Sequence, residues 1–128
     1  MIVADALNRI DGVLNAEPMK ESDKKVNPSD FSVVLSDVHF SYDDKKEVIR
    51  GVSMNIGSGQ TVAFVGPSGG GKSTLASLIA RFFDVNSGGI SIGGKDIREF
   101  PKEHLMNTVS FVFQNSKLIK ATIAENVR

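Results

Sequence analysis

Residues 61–83 read TVAFVGPSGGGKSTLASLIARFF, and this stretch divides into three parts with different patterning. Thr61 to Val65 is a continuous apolar run bounded by Gly59 and Gly66, which predicts a strand buried on both faces. Leu75, Leu78, Ile79, Phe82 and Phe83 recur at helical spacing and predict a helix. Between them, Gly66-Pro67-Ser68-Gly69-Gly70-Gly71-Lys72-Ser73 matches G-x-x-x-x-G-K-[ST] in the strand, loop and helix order that a phosphate-binding loop requires. Glycines let successive backbone N–H groups turn inward around an anion, where side chains would fill the phosphate's place. The following helix directs its N-terminal partial positive charge at the same point. Lys72 supplies a mobile point charge for β and γ phosphates, and the Ser73 hydroxyl can ligate Mg²⁺, a hard ion that prefers oxygen. Thr74 can donate to the phosphates from the first helical turn. The stretch therefore predicts nucleoside triphosphate binding.

Ten of the twelve glycines lie between Gly57 and Gly94, which concentrates tight turns around this loop. Downstream, Ile90 and Ile92, then Gly93-Gly94, then Lys95 to Ile97 read as a small hairpin with a two-residue turn. Val109, Phe111 and Phe113 form a last alternating strand. Upstream, Phe31, Val33 and Leu35 alternate, as do Val38, Phe40 and Tyr42 and then Val52, Met54 and Ile56, predicting antiparallel strands. The charged run Asp43 to Glu47 reads as a solvated hairpin tip without chemistry. At the start, Ile2, Val3, Ala6, Leu7, Ile10, Val13 and Leu14 form the apolar stripe of an amphipathic helix. The polar residues Glu17 to Asp30, with Pro18 and Pro28, read as an exposed linker, which sets a boundary between 1–28 and 29–128.

The 128 residues suffice for about one domain, and 41% hydrophobic with 23% charged residues is ordinary globular usage. Fifteen basic against fifteen acidic residues give a net charge of zero, so no broad basic surface for nucleic acid is expected. Without cysteine, disulfides, cysteine-ligated zinc, iron–sulfur clusters and thiol catalysis are excluded. The apolar runs fall far short of the roughly 18–20 residues that span a bilayer, and the opening residues have no signal-peptide pattern. His39 and His104 lack metal-ligand partners at suitable spacing, and Asp84 reads as a turn residue at a helix end.

A GTPase would carry a D-x-x-G switch and an N-K-x-D guanine reader; neither occurs, and Asn115-Ser116-Lys117-Leu118 is not such a reader. The segments VHFSYDDKKEVIRGVSMNIGSGQTVAFVGPSGGGKSTLASLIARFFDVNSGGISIGGKDIREF and VSFVFQNSKLIKATIAENVR instead resemble the first part of the nucleotide-binding domain of ATP-binding cassette (ABC) transporters, especially the exporter type. The resemblance runs from Phe31 to Arg128. It implies an α/β P-loop NTPase fold of the ABC ATPase type, with an antiparallel β subdomain and an incomplete parallel core sheet carrying the Walker A helix. Tyr42 occupies the place of the family's adenine-stacking aromatic, and Gln114 that of the glutamine that reaches Mg²⁺ and the attacking water. The implied set is Tyr42 for adenine, Gly66, Pro67, Ser68, Gly69, Gly70, Gly71, Lys72, Ser73 and Thr74 for phosphate, Ser73 and Gln114 for Mg²⁺, and Lys72 and Gln114 for catalysis. Implied ligands are ATP and Mg²⁺. Implied partners are the membrane domain of the same transporter and a second ATPase domain in a head-to-tail dimer, at the cytoplasmic face of a membrane. The opening helix resembles the segment linking an exporter's last membrane helix to its ATPase domain.

The family's L-S-G-G-Q signature, its hydrophobic strand ending in Asp-Glu and its switch histidine are not found in these residues. The expectation is an incomplete portion of an exporter that binds nucleotide without efficient turnover, with sheet edges and apolar faces uncovered. A soluble ABC-type ATPase of DNA repair or of ribosomes, and a non-catalytic nucleotide-binding module, are the alternative readings.

Overall fold

A computed structural model describes residues 2–43, 46–114 and 119–127. The phase of the apolar alternation decides how its sheet begins. Apolar residues fall on odd positions up to Leu35 and on even positions from Val38, and a strand can keep one face buried through such a change only by inserting a residue. Strand β1 (Val33–Ser41) does so with a bulge at Asp37, whose φ is 46° and whose N–H donates to Ser53 Oγ at 2.9 Å. Leu35 then faces Met54 and Val38 faces Val52 on the antiparallel strand β2 (Glu47–Ile56), so Leu35, Val38 and Phe40 all reach the core.

The other edge of β1 pairs antiparallel with β3 (Ser87–Ile92), which turns into β4 (Lys95–Asp96) to give the order β2-β1-β3-β4. Gly93 and Gly94 make that turn with φ values of 54° and 75°, the left-handed pair that matches strand twist in a two-residue hairpin. Helix α2 (Lys72–Ile79) lays Leu75 and Leu78 against this sheet, where they share one core with Leu35, Ile49, Ile90 and Phe100. A 3₁₀ turn at Ile97–Glu99, helix α3 (Lys102–Thr108) and helix α4 (Ile123–Val127) follow. The opening helix α1 (Ile2–Leu14) forms as expected, and Leu7, Ile10, Val13 and Leu14 on it are each more than half exposed.

Four expectations need correction. The helix predicted through Phe83 stops at Ile79: the Arg81 N–H donates to Leu78 O at 3.0 Å and the Phe82 N–H to Ser77 O at 2.9 Å, the paired bonds that close a helix on a left-handed residue. That residue is Arg81, with φ 53°. Its conformation is held by its own guanidinium, which is almost fully buried and donates to Asp84 Oδ1 at 2.9 Å and to Lys20 O at 2.8 Å. Second, the linker does not lie wholly exposed, because Val26 is buried in the core and Ser29 N–H donates to Gly93 O at 3.1 Å. Third, Thr61–Val65 does not form a buried strand, and Val62 and Val65 are exposed. Fourth, Val109 to Phe113 does not form a strand either. Both failures have one cause: a buried strand must hydrogen-bond on its edges, and among the described residues no strand lies beside either segment. Phe82, Phe111 and Phe113 instead cluster by their rings and, with Met19, line a cavity of about 800 Å³. Asp44 and Lys45 of the expected hairpin tip, and Asn115–Leu118, lie outside the described residues.

Arg81→Ala should cost about 2–3 kcal/mol in denaturant unfolding, the range for hydrogen bonds made by a charged group. Arg81→Gly should be milder by about 1 kcal/mol, since glycine takes the left-handed conformation without penalty; an alanine variant as stable as the glycine one would contradict this account of the helix end. Across the β1–β2 hairpin, the hydrogen bond that His39 donates to the Glu47 carboxylate raises the pKa of His39 above its ordinary 6.5. The pairing should therefore stabilise the fold below about pH 6.5 and fade as pH rises through the raised value, and His39→Gln should flatten that dependence in thermal unfolding.

Candidate functional site

The loop between Val65 and α2 is shaped by its packing on β2. Gly71 has φ 81°, and a Cβ placed there would come within 2.7 Å of Ile49 Cδ1 and 3.2 Å of Val48 O. Only glycine fits, and its close approach anchors the end of the loop against the strand. At Gly66 and Gly69 a Cβ would meet nothing within 4 Å, so these two positions border open space.

Helix α2 starts with no side-chain cap and no acidic residue in its first turn. Its first intrahelical bond is from Leu75 N–H to Gly71 O at 2.8 Å. Among the described residues, the N–H groups of Gly71, Lys72, Ser73 and Thr74 take no acceptor from the chain, which leaves the positive end of the helix free for an anion. The Lys72 ammonium folds back over the loop and donates to Gly66 O at 3.0 Å and Pro67 O at 2.7 Å. It thereby neutralises the two carbonyls that would otherwise repel a phosphate, and among the described residues no carboxylate pairs with it. Unpaired amides, a helix terminus and an ammonium group thus converge at one loop, a cradle that fits a chain of phosphates.

Ser73 is exposed and its hydroxyl takes no partner among the described residues, so an oxygen donor stands next to the lysine, as a hard divalent cation requires. Thr74 is buried, and its Oγ1 lies 3.0 Å from the Tyr42 hydroxyl. Tyr42 sits just past the end of β1 and is 58% exposed. The structure therefore brings Tyr42 to the helix that carries the phosphate loop. Gln114 lies exposed in a turn and, among the described residues, makes no hydrogen bond or ion pair with residues 66–74. His39 pairs with Glu47 and Asp37, His104 packs against Phe100, and Asp84 pairs with Arg81, so each stands away from the loop. The sequence reading missed the surroundings of Tyr42. Phe83, taken as a helical core residue, is turned out of the helix by the Arg81 cap and lies 5.2 Å from the Tyr42 ring centre. With no glycine between Ile79 and Phe83, nothing in the residue types marks that early stop.

The model of the family described as ABC transporter matches residues 49–127. The mycobactin import ATP-binding/permease protein IrtA of Mycolicibacterium smegmatis is 45% identical over 96 residues, covering 75% of this chain and 11% of that protein. The putative multidrug export ATP-binding/permease protein YgaD of Bacillus subtilis is 48% identical over 96 residues, covering 74% of this chain and 17% of that protein. A solved structure of a bacterial Atm1-family ABC exporter with ATP bound superposes with a TM-score of 0.82 at 32% identity, over 98% of this chain and 22% of the exporter chain. The chain thus spans between 11% and 22% of the length of these proteins. Its phosphate loop, its sheet and these likenesses agree: the chain belongs to the ABC transporter family.

Proposed function

We propose that the chain is the N-terminal, ATP-binding part of the nucleotide-binding domain of an exporter-type ABC transporter, whose whole couples ATP hydrolysis to transport across a membrane. The observation that carries this reading is the set of unpaired amides at Gly71 to Thr74 beside the Lys72 ammonium. Residues 1–28 would follow a membrane domain as helix and linker, and 29–128 would belong to the ATPase domain at the cytoplasmic face. Relatives named for import and for export share this segment, so it carries the handling of ATP common to both and leaves cargo selection to other parts.

In this reading Lys72 and the loop amides hold the β and γ phosphates, and the exposed face of Tyr42 covers adenine, a contact worth about 1–3 kcal/mol by analogy with base stacking in nucleic-acid complexes. The Ser73 hydroxyl, with Gln114 brought in from its turn, would hold Mg²⁺. When bound, that ion would supply positive charge to offset the charge that develops on the phosphoryl group. Gln114 would orient the attacking water. A second ATPase domain, docked head to tail, would complete the site through its signature, a motif not found among these residues.

Isothermal titration calorimetry should show MgATP binding by the chain and a loss of about 10–100-fold on Lys72→Ala, which removes one charge-assisted contact to phosphate. Unchanged affinity in that variant would defeat the assignment. Phosphate release by the wild-type chain should stay at background under the same saturating MgATP, since positioning and charge stabilisation are incomplete; brisk turnover would contradict the division between binding and hydrolysis.

A further inference from the structure

Tyr42 is held at three points. Its ring centre lies 5.0 Å from that of Phe40 with the planes at 83°, and 5.2 Å from that of Phe83 with the planes at 89°. Phe40 and Phe83 are themselves 5.6 Å apart, which closes a triangle of rings. The third point is the hydroxyl, 3.0 Å from Thr74 Oγ1 on the first turn of α2. Phe40 is buried within β1, so it is a fixed wall. Phe83 is 41% exposed and stands four residues beyond the end of α2, in the turn that the left-handed Arg81 creates. At that exposure burial alone does not fix the orientation of the ring. What the ring does is meet Tyr42 at a right angle, the arrangement that aromatic quadrupoles favour.

We propose that Phe83 is a positioning residue for the base: together with Phe40 and Thr74 it holds the Tyr42 ring in one orientation, so that a planar ligand stacks on a platform already formed. The inference rests on the reading of Tyr42 as the adenine contact. Two physical arguments support it. A side chain 58% exposed at the end of a strand ordinarily loses rotamer freedom when a ligand covers it, and bracing beforehand removes that cost from the binding step. The brace also joins the two halves of the site. Phe83 follows α2 and Tyr42 follows β1, so their contact and the hydroxyl bond tie the base platform to the helix whose N-terminus faces the phosphates.

A merely structural Phe83 would affect every ligand of the loop alike, whereas a base-positioning Phe83 affects only ligands that carry a base. The test compares MgATP with magnesium tripolyphosphate, which has the phosphates alone, by calorimetry on the 128-residue chain. Phe83→Leu keeps an apolar side chain and removes the ring contact, which aromatic pair energies place at about 2–10-fold in affinity. It should weaken MgATP by that factor and leave tripolyphosphate unchanged. Phe83→Tyr should restore MgATP binding, and in a Tyr42→Ala background Phe83→Leu should have no further effect on it. Parallel weakening of both ligands, unchanged binding of both, or an undiminished Phe83 effect in the Tyr42→Ala background would each overturn the proposal. If wild-type chain binds neither ligand, or if Lys72→Ala leaves both affinities intact, the phosphate-loop reading itself fails, and that outcome is distinct from failure of the brace alone.

Discussion

The contact of Gly71 with β2 is the constraint on which the rest of the molecule depends. It fixes the last residue of the loop 2.7 Å, measured from its absent Cβ, from a methyl group of Ile49. From that point α2 must start, with its first N–H groups facing open space and its apolar residues Leu75 and Leu78 facing the sheet. A loop of six residues, four of them glycine, has a large conformational entropy when free, and no ladder of its own holds it. Packing at one end and the bonds from Lys72 to Gly66 O and Pro67 O at the other supply the order instead. The same lysine proposed to bind phosphate therefore also orders the loop through these two bonds.

The antiparallel part of the fold was legible because its signals are local. The phase change between Leu35 and Val38 encodes the bulge, and Gly93-Gly94 encodes the turn, without reference to anything far along the chain. The end of α2 was not legible, since Arg81 adopts a conformation usually left to glycine and is held there by acceptors as distant as Lys20. The burial of Val26 was hidden for a similar reason. One apolar residue in a polar segment carries no periodicity, and its place in the core follows only once the β3–β4 hairpin offers it a surface. Thr61–Val65 shows the opposite case, in which a local signal for a buried strand finds no neighbouring strand among the described residues and no strand forms.

At the site the same division applies. Residues 66–74 could be read from types and spacing alone, because their chemistry lies in consecutive backbone amides that glycine permits and lysine complements. Tyr42 was placed by resemblance, and the structure brings it to Thr74 through the register of β1, a geometric link that no spacing rule in the sequence states. Phe83 escaped notice because its position depends on where the helix stops. Gln114 was also placed by resemblance, and it follows a segment, Val109–Phe113, that does not run as a strand here.

This contrast explains why binding and turnover should separate in such a chain. An anion cradle is made by nine consecutive residues and one helix, and the antiparallel sheet that supports it closes its own core from residues 26–105. Its geometry thus needs little from outside. Hydrolysis is different in kind, since it needs a water, a metal and a leaving phosphoryl group aligned at once, and in the proposed reading the groups that do this would sit at the ends of strands in a parallel sheet. Such strands are ordered only by one another. Val65, Val112 and Phe113 are exposed and lie outside any strand among the described residues, so in the proposed reading the steps that need an ordered parallel sheet are the ones this chain should not support.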